Sequence, residues 1–362
     1  MIVSKTDSLI WRLSSQLRSL SPGTKLPSLR ELQKEYNVSQ TTLNRVISRL
    51  KQDNLIDVIH GSGMFVAEGH NAGKKLDSID IIYFGADDVL GAPGYVKDLI
   101  HGLVMECGKD NISTTISTLP LTSSLDSAIK IFETLRFDAV ITVFLRDYSF
   151  INYFDKLRIP HVAITPDLMG DLDNAVYIDD EAVIRQIIQH LLERGHRKIA
   201  YLNSHAKTIF SRDLHLRELC YYRECIRHRL PVTLDMFCNC GHTYEEVRRA
   251  VAELLRRETG FSALIIDDQA ARAVYDELQA NGITPGKEIS VIGIDDLEMN
   301  RYLQPGLSSI RISQHEIARL ACRLLKTIYN DNDRKQPYCM IEPEFVERES
   351  VRTLERTGET II

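Results

Sequence analysis

Between residues 79 and 295 the chain carries eight strand-like runs rich in Val, Ile and Thr. They are IDIIYFGA (79–86), TTISTL (114–119), FDAVITVFL (137–145), HVAIT (161–165), AVYID (175–179), KIAYLN (198–203), SALIID (262–267) and ISVIGID (289–295). Between most of them lie segments of helical periodicity, such as DEAVIRQIIQHLLERG, ended by Gly195, and YEEVRRAVAELLRRETG, ended by Gly260. Continuous aliphatic strands separated by amphipathic helices predict an α/β architecture, with parallel sheets covered by helices on both faces. So many βα units exceed one compact sheet, which predicts two similar lobes spanning 78–352.

In parallel sheets ligands gather outside the carboxyl ends of the strands. Those ends are acidic here: Asp87 and Asp88, Asp179 and Asp180, Asp267 and Asp268, Asp295 and Asp296, with Thr165 ending the fourth run. Carboxylates converging on a cleft beside an arginine offer the acceptors and donors that replace water around a hydroxyl-rich ligand. A strand-end Asp can equally cap the following helix, and Asp88 and Asp180 are assigned to capping or solvent.

The first 68 residues follow a different pattern. Leu9, Ile10, Leu13, Leu17 and Leu20 recur at helical spacing, and Ser21-Pro22-Gly23 stops that helix. In LPSLRELQKEYNV, Ser28 with Glu31 forms a capping box, Leu29, Leu32 and Tyr36 make a buried stripe, and Asn37 suits a left-handed end. Ser39 caps the next helix almost at once, the spacing of a helix-turn-helix. In that helix Leu43, Val46, Ile47 and Leu50 point inward and leave Gln40, Thr41, Asn44, Arg45, Ser48 and Arg49 outside. Gln and Asn can bond adenine and Arg can bond guanine in the major groove, while N-terminal N–H groups and a threonine hydroxyl can hold a phosphate. LIDVIHGSGMFVAE then supplies a hairpin with a polar tip at His60-Gly61-Ser62-Gly63, which reads as a wing.

Charge divides the same way. Residues 1–70 hold nine Lys/Arg against six Asp/Glu, whereas the remainder holds 35 against 44, so a basic head sits on an acidic body. GHNAGKKLD (69–77) reads as a linker, and 353–362 as a C-terminal tail. No apolar run reaches the roughly 18 residues of a membrane span, and the amphipathic start carries Asp7, unlike a signal peptide. A cytoplasmic protein with no membrane role is expected. The seven cysteines then read as free thiols. Cys238-Asn239-Cys240-Gly241-His242 lacks metal-ligand spacing and reads as a strand with half-buried thiols. No nucleophile elbow, zinc-protease helix, dinucleotide loop or phosphate loop occurs, so neither an enzyme nor a cofactor or metal is expected.

PGTKLPSLREL, VSQTTLNRVISRL and GSGMFV, in that order, resemble the GntR-type winged helix. The resemblance implies that Arg30, Gln40, Thr41, Thr42 and Arg45, with the wing around His60 and Gly61, touch DNA; Ser39, Asn44 and Arg49 join them as candidates. Gln40 and Asn44 stand where members of that family carry Arg. The body, through VYIDDEAVIRQIIQHLLERGHRKIAYL, RDLHLRELCYY, SALIIDDQAARAVYDEL, ISVIGIDDLEMNRYLQPGLSSIRISQHEIARLACRLL and VERES, resembles the LacI/GalR-type effector domain, itself similar to periplasmic sugar-binding proteins. That resemblance makes Arg217 the arginine that grips sugar hydroxyls and Asp295 a hydroxyl-binding aspartate. It puts Asp267 at a contact position where many members carry Asn, Thr165 where many carry Asp, and Tyr95, after Ala92-Pro93-Gly94, at a pocket-lining helix start. Asp87 is a candidate from its strand-end position.

A winged helix of the one type joined to an effector domain of the other is the arabinose-operon repressor architecture. It implies a homodimer on a near-palindromic, double-stranded operator, repressing until a small effector binds between the lobes. A sugar is the first expectation; a nucleoside, purine or phosphosugar is the alternative. A sugar-binding or sugar-processing protein with no DNA role ranks below both.

Overall fold

A computed structural model describes residues 5–18, 20–67, 75–85, 94–132, 137–168, 170–204, 211–330 and 335–355. Asp87, Asp88, most of the expected linker and the last seven residues lie outside the described residues. The chain divides into two compact units. One comprises Met1–Asp87, Val104–Ile164 and Ala321–Pro337; the other comprises Asp88–Leu103, Thr165–Leu320 and Tyr338–Ile362.

The first unit opens with α1 (Lys5–Arg18), α2 (Leu29–Tyr36), α3 (Gln40–Gln52), β1 (Ile56–Ile59) and β2 (Gly63–Val66). Its local signals act as expected. The Ser28 N–H donates to Glu31 Oε2 at 2.7 Å while Ser28 Oγ accepts from the Glu31 N–H, so α2 starts on a full capping box. Asn37 ends α2 at φ 47°, a left-handed conformation that Asn tolerates. Ser39 Oγ accepts from the Thr42 N–H at 3.2 Å and starts α3 three residues later. Leu9, Leu13, Leu17, Leu32, Leu43, Val46 and Leu50 then close one core with Leu55, Ile56, Met64 and Val66 of the hairpin. β1 and β2 pair antiparallel, Ile56 opposite Val66 and Ile59 opposite Gly63. The segment before α2 lies along β2: the N–H groups of Gly23 and Leu26 donate to the carbonyls of Val66 and Met64, both at 2.8 Å. The wing is therefore anchored on both sides of β2.

Farther along, β3 (Ser78–Phe84), β4 (Ser113–Leu119), β5 (Ala139–Val143) and β6 (His161–Ile164) lie side by side in the order β6-β5-β3-β4, all parallel. The intervening chain forms α4 (Tyr95–Lys109), α5 (Leu125–Phe132) and α6 (Tyr148–Lys156). β5 is buried along its whole length, as an unbroken Ala-Val-Ile-Thr-Val run requires.

In the second unit β7 (Ala175–Ile178) leads into α7 (Asp180–Glu193) and β8 (Ile199–Asn203) into α8 (Arg212–Arg227). Next come β9 (Phe237–Asn239), α9 (Tyr244–Arg256), β10 (Ala263–Ile266), α10 (Ala271–Ala280), β11 (Ser290–Asp295) and β12 (Ser308–Arg311). α11 (Gln314–Asn330), whose residues from Ala321 on belong to the first unit, precedes β13 (Cys339–Ile341) and β14 (Glu344–Val346). β7 pairs parallel with β13, and a six-stranded sheet runs β14-β12-β11-β10-β8-β9, parallel except for the pairing of β14 with β12. Leu202, Leu264, Ile266 and Val291 pack there against Val247, Val251 and Leu254 of α9 and Val274 and Leu278 of α10. Gly260 does not itself end α9: the helix stops at Arg256, and Gly260, at φ 68°, turns the chain toward β10.

Candidate functional site

The second unit gathers strand-end acids around one arginine. α8 carries Arg217, and its Nε donates to Asp180 Oδ1 at 2.7 Å, each side chain only 4% exposed. Burial opposes the guanidinium charge, but Asp180, Asp213 and Asp295 outweigh it and hold Arg217 charged far above the usual range. Burial pushes Asp180 up to about 7 against the pull of Arg217, with Asp213 adding to the rise. Asp295 is raised well above the carboxylate range by burial first; Arg217 counters, and Asp268, Asp267 and Asp213 reinforce. Tyr95, the first residue of α4, is buried and feels Asp295, Asp213 and Arg217. Tyr201 of β8 is buried and feels Asp267, Arg217 and Asp180. Tyr95, Arg217, Asp267 and Asp295 therefore share one electrostatic neighbourhood.

The acidic pairs divide their labour. Asp267 Oδ2 accepts from Ser204 N–H at 2.9 Å and from Ser204 Oγ at 2.8 Å. Its neighbour Asp268 is a structural pin: its carboxylate accepts from Ser309 Oγ at 2.8 Å and from the Leu297 N–H at 2.7 Å, while its carbonyl accepts from Asn300. Asp295 faces the arginine, whereas Asp296 is clamped by Arg311 at 2.8 Å and Arg348 at 2.6 Å. Asp295 and Asp296 stand at φ 107° and 52°, and Thr165 at φ 40°. Such left-handed backbone at non-glycine residues is strained and persists only where surroundings over-determine it, as these clamps do at Asp296.

At the third pair the order is reversed, and the assignment of Asp180 to capping or solvent is overturned. Asp179 is the cap, its Oδ1 accepting from the Ala182 N–H at 2.8 Å. Asp180 turns inward onto Arg217. Sequence reasoning also passed over Asp213, one helical turn before Arg217, and Tyr201 and Asn203. The Tyr201 hydroxyl and Asn203 Oδ1 are buried with no hydrogen-bond partner among the described residues, as is Thr165 Oγ1. The available signal for Asn203 was its place at the end of KIAYLN. Asp167, two residues beyond Thr165, accepts from the Arg212 N–H and ties that segment to the start of α8. Arg212 itself stacks on Tyr177, 4.6 Å from the ring centroid, and pairs with Asp171 at 2.8 Å. One fixed cation, several carboxyls held near or above neutrality and unsatisfied hydroxyl and amide groups suit a neutral, hydroxyl-rich molecule better than an anion.

In the first unit α3 exposes Gln40, Thr41, Asn44, Arg45, Ser48 and Arg49 on one face, and Arg30 of α2 is exposed too. Ser39 and Thr42 serve the cap: their hydroxyls lie 2.9 Å apart and Thr42 is half-buried. Arg49 is engaged by Asp53 at 3.1 Å. His60 and Gly61 sit exposed in the wing turn, with Gly61 at φ 79°. Lys25 was not foreseen: its Nζ lies 6.0 Å from the Phe65 ring centroid, and a Cβ on Gly63 would stand 3.2 Å from its Cε. Its ammonium is thus laid along the wing.

Comparison with known proteins agrees with both halves. Residues 6–66 match the family of bacterial regulatory proteins of the gntR type, and residues 188–351 match a periplasmic binding protein-like domain. The protein named probable HTH-type transcriptional repressor ExuR, from Bacillus subtilis strain 168, is 22% identical over 348 residues, covering 90% of this chain and 99% of its own. The arabinose metabolism transcriptional repressor of Geobacillus stearothermophilus is 22% identical over 372 residues, covering 97% of each. The chain is a GntR-type transcriptional regulator with a LacI-type effector domain. A solved transcriptional regulator, CelR in complex with cellobiose, shares the regulator's fold at a TM-score of 0.67 and 19% identity, covering 86% of this chain and 91% of its own. The regulator's full-length relatives are named as transcriptional repressors, not enzymes. Among the described residues no helix is long and apolar enough to cross a membrane, and no group of three or more His, Cys, Asp and Glu is placed to hold a metal ion.

Proposed function

We propose that the regulator acts in the cytoplasm as a homodimeric repressor. Its winged helices, residues 1–68, read the half-sites of a near-palindromic operator, and a neutral sugar bound in the 78–352 region releases them. Arg217 carries this reading. It is a buried guanidinium held by Asp180, with Asp213, Asp267, Asp295, Tyr95 and Tyr201 around it. Bidentate donors beside carboxyl acceptors recognise vicinal hydroxyls, and the buried cation is already paired with Asp180, which leaves it no free charge to offset the phosphate of a phosphosugar. The names of the arabinose metabolism repressor and of the CelR–cellobiose complex support a sugar as the first class to try. On DNA, Gln40, Thr41, Asn44 and Arg45 reach base edges while Arg30, Lys25 and the wing hold phosphates. The effector shifts DNA binding only by its differential affinity for the two states.

The test is a thermal-shift screen of pentoses, hexoses, disaccharides and nucleosides, followed by operator retardation with whichever compound stabilises the protein. A sugar should raise the melting temperature of the wild type but not of Arg217→Ala, and should release operator only from the wild type. A sugar acting equally on Arg217→Ala moves the site elsewhere, and stabilisation by nucleosides alone replaces the ligand class.

A further inference from the structure

The Arg217–Asp180 pair is built asymmetrically. Asp180 takes the Nε–H of the guanidinium at 2.7 Å. The two terminal amino groups donate no hydrogen bond among the described residues. A guanidinium pinned at Nε has lost rotation about its last side-chain bonds, so both remaining forks point in one fixed direction. Neither α7 nor α8 can easily yield. Asp180 is the first residue of α7, locked by the Asp179 cap. Arg217 lies in the second turn of α8, whose start is tied down by Asp167 to the Arg212 N–H and by Arg212 on Tyr177. Both charges are almost sealed from water, so their attraction is weakly screened.

We propose that Asp180 is the positioning residue of the effector site: it holds Arg217 by Nε so that the two terminal amino groups are presented as a preset fork to adjacent hydroxyls of the ligand. This rests on the reading of Arg217 as the effector's contact. The clamp holds most tightly while Asp180 is ionised. Asp180 is raised to about 7 by burial, with Arg217 and Arg212 pulling it down and Asp213 pushing it up. Asp295, Tyr95 and Tyr201 act on the same arginine from β11, α4 and β8. Below neutrality the proton on Asp180 turns the charge-assisted bond to Nε into a weaker neutral one, and the fork loses its fixed direction. Effector affinity should therefore rise with pH through neutrality.

The experiment uses full-length protein labelled with 15N at arginine Nε, with the Arg217 signal assigned by its loss in Arg217→Lys. In the wild type that Nε–H signal should be slow to exchange and should shift with a midpoint near pH 7. In Asp180→Asn it should lose that pH dependence. In parallel, calorimetric titration with L-arabinose, D-galactose and cellobiose from pH 5.5 to 8.5 should show at least tenfold weaker binding to Asp180→Asn at pH 8 of whichever sugar the wild type takes. The two proteins should converge at pH 5.5. An Arg217 signal unchanged in Asp180→Asn, or equal sugar affinity with the same pH profile, overturns the clamp. If the wild type takes none of these sugars and Arg217→Lys changes no ligand response, the effector reading fails instead, and the Nε signal alone decides the clamp.

Discussion

Asp268 occupies the space that a side chain on Gly293 would need: a Cβ there would lie 1.9 Å from Asp268 Oδ1. The carboxylate cannot retreat, because its two oxygens are held by Ser309 Oγ and the Leu297 N–H. Leu307 and Ser309 close the other sides at 2.8 and 3.0 Å. Gly293→Ala should therefore destabilise the second unit by about 1–3 kcal/mol, through overpacking and disturbed hydrogen bonds. Calorimetric melting checks this. The double variant Gly293→Ala with Asp268→Ala should recover the steric part, so that the two losses fail to add. Strict additivity would show that the close approach is not the cause.

Asp80 makes a second prediction, with a definite sign. It lies fully buried in β3, and among the described residues its carboxylate accepts only from Ser117 Oγ, at 3.0 and 3.1 Å. Burial raises it to about 7, against a partial lowering by Ser117. The folded state therefore keeps a proton that the unfolded chain releases near pH 4. The stability this gives is full below pH 4 and is lost as pH rises through about 7. Asp80→Asn should gain stability relative to the wild type between pH 5 and pH 8. His190, lowered to about 4 chiefly by burial, works in the opposite sense at low pH. The decisive quantity is thus the difference between the two proteins, read from urea melts at each pH. A constant difference across that window would refute the assignment.

The cap of α3 gives a third. Ser39 Oγ accepts from the Thr42 N–H and lies 2.9 Å from Thr42 Oγ1, so one hydroxyl organises the first turn of the DNA-facing helix. Ser39→Ala should lower the stability of the winged helix by about 1 kcal/mol, whereas Ser39→Asp should keep the cap. Ser39→Asp should nonetheless weaken operator binding, since it places a negative charge where phosphates approach. Operator retardation and melting of the two variants separate the structural share from the electrostatic one.

What was legible in the sequence was what neighbouring residues decide. Ser28 with Glu31, Asn37 and Ser39 act within four residues of themselves, and the elements they predict are those present. The long aliphatic runs also became strands, as continuous Val/Ile runs do in parallel sheets covered on both faces. The strand read at Cys238-Asn239 is present as β9, whereas β12, β13 and β14 escaped notice, because Ser-Ser-Ile-Arg, Cys-Met-Ile and Glu-Phe-Val are too short to show a period. Asp179 and Asp180 show the same limit at the site. Both stand where β7 passes into α7. Which one caps and which is buried depends on an arginine 37 residues away. The orphaned hydroxyl of Tyr201 likewise lies in a run that reads only as apolar strand.

Arg45 and Arg49 sit one turn apart on the same exposed face of α3, but among the described residues only Arg49 has an acidic partner, Asp53 at 3.1 Å. That pair is exposed, so it is worth no more than about 1 kcal/mol and would break for a phosphate at modest loss. Arg45 is closer to the N-terminal turns proposed to enter the groove and has no such competitor among the described residues. Arg45→Ala should therefore weaken operator binding by about tenfold or more, consistent with the loss of a bidentate base contact of roughly 1–3 kcal/mol. It should also relax the preference at one base position. Arg49→Ala should weaken binding only severalfold, uniformly across sequences, and reduce the salt slope by about one. Asp53→Ala should strengthen binding slightly, because it frees Arg49 and removes a negative charge. Fluorescence anisotropy with operator and single-base variants at several salt concentrations distinguishes the cases. Equal loss of affinity and equal salt slopes for Arg45→Ala and Arg49→Ala would mean that both arginines meet only the backbone, and that base reading falls to Gln40 and Asn44.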